Sequence, residues 1–446
     1  MPSILIESTK LPVDDELTTA HILLEDGKIK RVSKTRPESA VDQRINGSRL
    51  IALPGLIDAH VHLRDLQLSY KETFESGTQA AAAGGYTTVI DMPNSRPPTT
   101  NTNVLLERIS KAEGRIYSNV GFQGALLEDA AELKRMAENG ALAFKLYLNK
   151  TLETFDSANE ANLTRAFEAA KQCNVLVTVH AEDGGTIEEM RQRSLKEGRT
   201  GIKDFLEAHS PEAEVRAVRR VLGLGRILGS RIHVCHITIP EAVKLAKTTP
   251  GVTCEATAHH LLLNQSVFKK QQTLGTCVPP IRSNTYRVGL WRLFAEGQVD
   301  ILASDHAPHT LEEKIKRNAW DAASGVPGLE TSLPVLFTQI IRNKLTLRRF
   351  VDATATVPAR IFGLSRKGEI REGLDADIVL VDPKAKSVVK PENFLSKAKY
   401  SPFKGMRCTG RAAFTIVNGT VVAEGGRIVG PPAGRVIKGE TACGSS

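Results

Sequence analysis

The spacing of apolar residues changes twice along the chain and divides it into three parts. Residues 1–50 alternate short apolar runs with turn-forming residues, a pattern typical of β-strands. Residues 51–365 alternate short apolar strands with longer segments of helical periodicity, and residues 366–446 return to β-like runs. We therefore predict one small β domain that both chain ends build beside a central domain. About 15 residues at the C-terminus, rich in Gly, Pro and Lys, are predicted to be poorly ordered.

The central part contains eight candidate strands separated mostly by helical segments. The strands are predicted at 51–62, 86–91, 116–122, 142–148, 174–180, 231–236, 251–257 and 299–304. The helices are predicted at 74–83, 103–113, 130–139, 163–172, 212–228 and 241–247. This alternation predicts an α/β fold, a parallel (β/α)₈ barrel of the TIM type.

Composition excludes several classes of protein. Hydrophobic residues make up 41% of the chain and charged residues 24%, as in ordinary globular proteins. No apolar run is long enough for a transmembrane helix, and the N-terminus lacks the basic region and apolar core of a signal peptide. The six cysteines are widely scattered, which fits a reducing compartment rather than a disulfide framework. We expect a cytoplasmic protein that does not bind membranes.

The formal net charge of +9 does not by itself indicate nucleic-acid binding. Lysine and arginine are spread along the chain without a long block and with little aromatic interleaving. We therefore expect no nucleic-acid partner. A basic protein would still attract a small anionic substrate.

His60 and His62 form the most informative local pattern. In a strand, positions i and i+2 point to the same face, so the two imidazoles project side by side and suit a divalent metal. Arg64 has the same parity and places a cation beside them. Taken alone, such a pair can equally be a hydrogen-bonded pair without a metal.

Further metal-binding residue types recur at the ends of the predicted strands, where barrels of this type carry their catalytic residues. The strand-end residues are His60, His62, Lys145, His180, Cys235, His236, Glu255 and Asp305, with His306 and His309 following the last strand. One histidine at a strand end is more often structural. Several histidines and an aspartate converging at one end of a barrel predict a metal site.

Four segments resemble motifs of the cyclic amidohydrolases, and among these the dihydroorotases most closely. They are Pro-Gly-Leu-Ile-Asp-Ala-His-Val-His-Leu-Arg at 54–64, Asp-Met-Pro-Asn-Ser-Arg-Pro-Pro at 91–98, Cys-Glu-Ala-Thr-Ala-His-His at 254–260 and Ala-Ser-Asp-His-Ala-Pro-His-Thr at 303–310. The similarity runs from about residue 50 to 365 and continues into residues 367–380. It implies a zinc-dependent, reversible hydrolysis of dihydroorotate to N-carbamoyl-L-aspartate in pyrimidine biosynthesis.

The resemblance also implies a binuclear zinc site. The implied ligands are His60, His62 and Asp305 for one metal and His180 and His236 for the other. Lys145 would bridge both metals as an N-carboxylated lysine, because a free ammonium repels Zn²⁺ whereas a carbamate is an anionic ligand. Cys235 and Glu255 match positions that bind a third zinc in some relatives. They fit equally a small buried residue and a partner that orients a ligand.

The resemblance assigns roles around the substrate as well. Asp305 would take a proton from the attacking water and deliver it to the leaving nitrogen of the ring. The residues implied to hold the substrate are Arg64, Asn94 and His309 at its carboxylate and Thr151 in a loop that closes over it in some relatives. Leu152 replaces the aromatic residue usual in that loop, and residues 65–67 replace the common Glu-Pro-Gly.

Two other functions stay open. Allantoinases and hydantoinases share the barrel, the metals and cyclic-amide hydrolysis, but Asn94 directly after Met92-Pro93, and the Cys235-His236 pair, fit dihydroorotases better. A non-catalytic scaffold is the second alternative, although inactive relatives typically lose metal ligands and this chain retains them all. The predicted partner is a small-molecule substrate. Both a homo-oligomer and a complex with aspartate transcarbamoylase remain open.

Overall fold

The computed structural model describes residues 2–13, 16–150 and 155–439, and its strands form two separate sheets. The strands are β1 (Ile4–Val13), β2 (Glu16–Glu25), β3 (Lys28–Ser33), β4 (Gln43–Asn46), β5 (Ile51–Pro54), β6 (Leu56–Val61), β7 (Tyr86–Asp91), β8 (Asn119–Ala125), β9 (Ala141–Tyr147), β10 (Leu176–His180), β11 (Arg231–Val234), β12 (Val252–Thr257), β13 (Ile301–Ala303), β14 (Ile378–Val388), β15 (Arg407–Val417), β16 (Thr420–Glu424) and β17 (Arg427–Ile428).

Helices follow most of the central strands, as the helical periodicity predicts. They are α1 (Phe74–Ala83), α2 (Thr102–Ala112), α3 (Ala130–Glu138), α4 (Glu160–Gln172), α5 (Gly184–Lys196), α6 (Ile202–Ala208), α7 (Pro211–Leu228), α8 (Pro240–Lys247), α9 (Ala258–Leu262), α10 (Phe268–Gln271), α11 (Asn284–Ala295), α12 (Leu311–Lys314), α13 (Leu329–Ile341), α14 (Leu347–Val351) and α15 (Val357–Ile361). The six predicted helices correspond to α1–α4, α7 and α8. Among the described residues, no helix combines the length and apolar character needed to cross a membrane.

Strands β6 to β13 form a parallel eight-stranded sheet in chain order. The sheet closes where Val61 pairs with His306 and the His62 N–H donates to the His306 carbonyl at 2.8 Å. Strand residues such as Phe122 and Phe144 pack against helix residues such as Phe167 in one buried apolar cluster. The predicted (β/α)₈ barrel is confirmed, with the carboxyl ends of its strands at one rim.

Both chain ends build the second sheet, as predicted. Its strands run in the order β17-β16-β15-β14-β5-β1-β2-β3, and β4 pairs with β1. Alternate apolar residues of these strands, including Ile6, Ile22 and Leu380, are buried in a cluster of their own. This small β unit thus has a core separate from that of the barrel.

The prediction of one strand over residues 51–62 is wrong, because Gly55 divides that segment between the two sheets. Residues before it form β5, which pairs with β14 and β1, and those after it form β6 of the barrel. A Cβ atom at Gly55 would lie 2.1 Å from the Thr87 hydroxyl oxygen, so this close approach requires glycine. The Gly55 N–H donates to the Asp377 carbonyl at 2.8 Å.

The prediction of a poorly ordered C-terminus is wrong for its part within the described residues. Val436 pairs with Val120 of β8, and the Arg435 N–H donates to the Asn119 side-chain oxygen at 3.0 Å. The chain therefore returns from the small β unit to the barrel before residue 439.

Candidate active site

The side chains predicted as metal ligands lie together at the carboxyl rim of the barrel. They are His60 in β6, His62 just after it, Lys145 in β9, His180 at the end of β10, His236 after β11 and Asp305 after β13. None exposes more than 7% of its surface. Neighbouring imidazole centroids are 5.3 Å apart for His60 and His62, 5.1 Å for His60 and His236, and 4.6 Å for His180 and His236.

Asp58 ties the first and last barrel strands together beneath this cluster. Its fully buried carboxylate accepts the Ser304 N–H at 3.0 Å and the His60 N–H at 3.2 Å. Burial raises the pKa of Asp58 to about 7. The backbone is in the left-handed region at Asp305 (φ 46°), which follows Ser304, and at His236 (φ 33°). Such conformations are costly for residues other than glycine and cluster at functional sites.

A side-chain oxygen holds one ring nitrogen in three of the four histidines. His60 Nδ1 lies 2.5 Å from a Glu255 oxygen, His62 Nδ1 lies 2.6 Å from the Asn94 oxygen, and His180 Nε2 lies 2.8 Å from a Glu182 oxygen. Neutral imidazole carries one N–H, which must point to these acceptors. The other nitrogen of each ring therefore presents a lone pair, as metal-binding histidines do.

Burial lowers the pKa of all four histidines, which favours their neutral form. Burial and then Lys145 lower the pKa of His60 to about 4, and burial and then Arg64 lower that of His62 well below its usual value. Burial also lowers the pKa of His236. Burial raises the pKa of Asp305, although His60 and Lys145 oppose that rise.

The geometry of these lone pairs fits a divalent metal. His62 Nε2 and His60 Nε2 lie 3.1 and 3.4 Å from the same Asp305 oxygen. Two hydrogen-bond acceptors repel each other at such distances unless a proton or a cation lies between them. In addition, His236 Nδ1 is buried without a hydrogen-bond partner among the described residues. Histidine and aspartate in this arrangement are the usual ligands of catalytic zinc.

Lys145 is buried beside a thiol and an aromatic ring. Its Nζ lies 2.9 Å from Cys235 Sγ and 5.3 Å from the centre of the Tyr147 ring. Within the described residues no carboxylate forms an ion pair with it. An unpaired buried ammonium is costly, which favours a chemical change that removes the charge.

The contacts of Glu255 bear on both of its predicted roles, a residue that orients a ligand and a ligand of a third zinc. Besides His60 Nδ1, its carboxylate accepts the His233 Nε2–H at 3.1 Å and the His236 backbone N–H at 3.2 Å. Burial alone would raise the pKa of Glu255, but His60 and His233 hold it below its usual range. Donor atoms of His60, Cys235 and Glu255 also lie within 4.8 Å of one another. Glu255 thus orients two residues of the histidine cluster, in a geometry that a third ion would also fit.

Arg64 and Asn94 line the cavity into which the histidine cluster opens. Arg64 is buried, and its Nε has no hydrogen-bond partner among the described residues. His309 does not itself line this cavity, but its Nε2 lies 3.4 Å from Arg64 Nη2 and 3.2 Å from the Ser324 carbonyl oxygen in the cavity wall. Thr151 and Leu152 lie outside the described residues. A buried guanidinium without a carboxylate partner is suited to an anionic ligand.

The comparisons with known proteins agree with this arrangement. Residues 51–422 match the model of the amidohydrolase family. The chain belongs to the amidohydrolase family. The cluster of candidate metal ligands at the rim of the barrel lies inside the matched region.

Relatives of this amidohydrolase include dihydroorotases and an L-hydantoinase. It is 37% identical to a dihydroorotase of Halobacterium salinarum, over 90% of this chain and 95% of that one. It is 33% identical to a dihydroorotase of Methanosphaera stadtmanae, over 95% and 97%. An L-hydantoinase of Paenarthrobacter aurescens is 31% identical over 96% of each chain.

The similar solved structures include hydantoinases. The L-hydantoinase (dihydropyrimidinase) from Arthrobacter aurescens superposes with a TM-score of 0.94 at 30% identity, covering 98% of this chain and all of that one. The dihydropyrimidinase from Brevibacillus agri reaches 0.90 at 26% identity, covering 99% and all of that chain. The fold is therefore shared with hydantoinases, and the substrate pocket must discriminate between the two activities.

Sequence reasoning missed several residues of this amidohydrolase site. Glu182 stands two positions after His180, a spacing that could have indicated an orienting carboxylate. Tyr147 has the same parity as Lys145 and lines the cavity with its hydroxyl buried and without a partner in the described part of the chain. Lys71 lies near His309 although 238 residues separate them, and no local pattern signals that contact.

Proposed function

We propose that this amidohydrolase catalyses the dihydroorotase reaction, the reversible hydrolysis of (S)-dihydroorotate to N-carbamoyl-L-aspartate in pyrimidine biosynthesis. One observation carries the proposal: a cluster of neutral histidines with an aspartate shares its cavity with a buried, unpaired guanidinium, Arg64. The cluster suits hydrolysis of an amide, and the guanidinium suits a substrate that bears a carboxylate beside that amide.

Two zinc ions per chain are the proposed cofactor. The proposed ligands are His60, His62 and Asp305 for one ion and His180 and His236 for the other, with Lys145 carboxylated between them. Zinc bound there supplies Lewis acidity, which activates water and polarises an amide carbonyl. Carboxylation replaces the buried ammonium of Lys145 by an anionic carbamate, which removes an unpaired positive charge from the ligand cluster. Cys235 and Glu255 remain candidates for a third ion.

Asp305 is the proposed proton carrier. Its carboxylate lies beside His60 and His62 in the ligand cluster. Burial raises the pKa of Asp305, which makes it a stronger base. In hydrolysis it takes a proton from the attacking water as the new C–O bond forms. It then gives that proton to the ring nitrogen as the C–N bond breaks. Cyclisation follows the same path in reverse.

Arg64 and Asn94 are the proposed direct carboxylate contacts, and His309, the third residue predicted there, lies against Arg64 and not in the cavity wall. The Asn94 oxygen is engaged by His62, so its amide N–H groups remain available to an anion. The Arg64 fork can donate two parallel hydrogen bonds to a carboxylate. Thr151 is retained as a candidate contact from the loop that would cover the substrate.

Hydantoin hydrolysis is the second candidate, favoured by the L-hydantoinase at 31% identity and by the 0.94 TM-score of a structure of that name. Bound hydantoins and dihydropyrimidines without a carboxylate would leave Arg64 unpaired. The carboxylate of dihydroorotate would pair with this guanidinium, which is why we prefer the dihydroorotase reaction.

We also propose a cell compartment and modes of assembly for the chain. No disulfide joins the cysteines of the described residues, which is consistent with a reducing, cytoplasmic setting. A homo-oligomer and a complex with aspartate transcarbamoylase both remain proposals.

The deciding experiment compares substrates on metal-analysed protein. We expect about two zinc ions per chain, turnover of dihydroorotate and of N-carbamoyl-L-aspartate, and little turnover of hydantoin, allantoin or 5,6-dihydrouracil. His60→Ala and His180→Ala should each lose metal and activity, whereas His21→Ala, in β2, should retain both. Preferred turnover of a hydantoin would overturn the proposal in favour of the second candidate, and full activity without metal would refute the metal site.

A further inference from the structure

Lys71 approaches the edge of the substrate pocket from the loop before α1. Its Nζ lies 3.1 Å from His309 Nδ1 and 2.7 Å from a Glu313 carboxylate oxygen. Glu313 is itself held in place, because it accepts the Thr310 N–H at 3.0 Å in the capping box of α12. Glu313 therefore anchors the ammonium group of Lys71, which also contacts His309.

This contact determines which nitrogen of His309 carries the proton. A lysine ammonium can only donate, so Nδ1 must accept and the N–H of the neutral ring lies on Nε2. The ring is neutral because burial, and then the charges of Arg64 and Lys71, lower the pKa of His309 to about 2. The Ser324 carbonyl, 3.2 Å from Nε2, is the acceptor that this tautomer needs.

The tautomer in turn determines what Arg64 can bind. With the proton on Nε2, the 3.4 Å approach of Arg64 Nη2 joins two donors and is not a hydrogen bond. The guanidinium N–H groups then stay available for an anion in the cavity. In the other tautomer, Nδ1–H would turn to Glu313, whose oxygen is 3.6 Å away. Nε2 would then accept from Arg64 and engage the group that the substrate carboxylate needs.

We propose that Lys71, anchored by Glu313, is a positioning residue that holds His309 in its Nε2–H tautomer and so reserves Arg64 for substrates that carry a carboxylate. This inference rests on the proposed function, and it names the device that separates dihydroorotate from hydantoins and dihydropyrimidines. The lysine touches neither the metal ligands nor the reacting amide. Its removal should therefore affect recognition of the carboxylate and not the chemical step.

The test uses the full-length, zinc-loaded protein with Lys71→Met, which removes the donor, and Lys71→Arg, which retains a donor and the charge. Lys71→Met should raise KM for dihydroorotate by about 10–100-fold, the usual effect of losing a charge-assisted contact, with kcat little changed. The slow hydrolysis of 5,6-dihydrouracil, the same ring without a carboxylate, should not fall. Lys71→Arg should largely restore KM. Lys316→Met, the same change of charge at an exposed lysine beyond α12, is the control and should behave as wild type.

A second readout does not depend on turnover. Nitrogen-15 NMR of histidine-labelled protein, with the His309 signals identified by their loss in His309→Asn, should show an Nε2–H ring in wild type and an Nδ1–H or mixed ring in Lys71→Met. An Nδ1–H ring in wild type, or an unchanged KM in Lys71→Met, overturns the inference. Wild-type protein that fails to hydrolyse dihydroorotate overturns the proposed function instead, so the two failures are distinguishable. Thermal melts confirm that each variant is folded.

Discussion

Replacing Glu255 by glutamine tests whether this residue orients His60 or binds an ion itself. The Glu255 carboxylate accepts three N–H groups, from the His60 ring, the His233 ring and the His236 backbone. A glutamine has one oxygen and one NH₂ group, so at least one of these donors would face another donor. If the NH₂ group faces His60 Nδ1, the ring must carry its proton on Nε2 and loses the lone pair that faces Asp305.

The expected cost follows from that lost orientation. Partners of this kind typically change metal affinity by about 10–100-fold, or about 1.4–2.8 kcal/mol. We therefore expect Glu255→Gln to bind zinc about 10–100-fold more weakly while reaching the wild-type stoichiometry at saturation. If Glu255 is instead a ligand of a third ion, the variant should hold one ion fewer at any zinc concentration.

The assay is a zinc titration against a chelating indicator, combined with metal analysis of the saturated protein. Glu214→Gln is the matched control: Glu214 is equally buried and accepts the Thr238 N–H at 2.7 Å and an Arg282 N–H at 3.0 Å, but it touches no histidine of the cluster. It should lose stability without losing zinc affinity. Wild-type zinc affinity in Glu255→Gln would refute the orienting role.

Three further predictions address the ligands, the substrate contacts and the scaffold. Lys145→Ala should abolish turnover, short carboxylic acids should restore part of it, and intact-protein mass spectrometry should find one added CO₂ in wild type; wild-type rates in this variant would make the lysine structural. Asp305→Asn should lower kcat by about 10²–10⁴-fold, whereas Arg64→Lys should mainly raise KM. Steady-state kinetics in both directions separate these two effects. A normal kcat in Asp305→Asn would contradict proton transfer by Asp305, and an unchanged KM in Arg64→Lys would contradict substrate binding by Arg64. Arg108→Met should destabilise the fold by about 3–5 kcal/mol, because it leaves the buried Asp91 carboxylate without its partner, and urea unfolding should show part of that loss recovered by adding Asp91→Asn. Burial raises the pKa of Asp91, and Arg108 lowers it. Without Arg108, the loss of unfolding free energy should therefore be smaller at low pH and should grow as the pH rises through the folded-state pKa of Asp91. A loss that is independent of pH would contradict this account.

The candidate ligands could be predicted because their signals are local. His60 and His62 share a face by strand parity, and His180 and Asp305 end apolar runs of strand length. In a parallel barrel every such strand end meets the same rim, so residues far apart in the chain could be expected together. The structure brings these residues into one buried cluster.

The hydrogen-bond partners of these residues could not be predicted, because they depend on contacts across the fold. The sequence named Glu255 as a possible orienting residue but could not indicate that it holds His60, which lies 195 residues away, and Lys71 lies 238 residues from His309. The division of the 51–62 segment at Gly55 likewise depends on Thr87 of β7 lying against the glycine. No pattern within a strand predicts which side chains from other segments will contact that strand.

The sequence by itself determined the barrel, the small β unit of both chain ends and the residues that could bind metal, because periodicity and strand-end position are properties of short segments. Only the tertiary structure decided how those residues are used. It sets which nitrogen of each imidazole is free, which carboxylate holds it and which cation remains unpaired for a ligand. These properties arise from distances and burial between distant segments, and they separate a cluster of histidines from a site able to select and hydrolyse a particular cyclic amide.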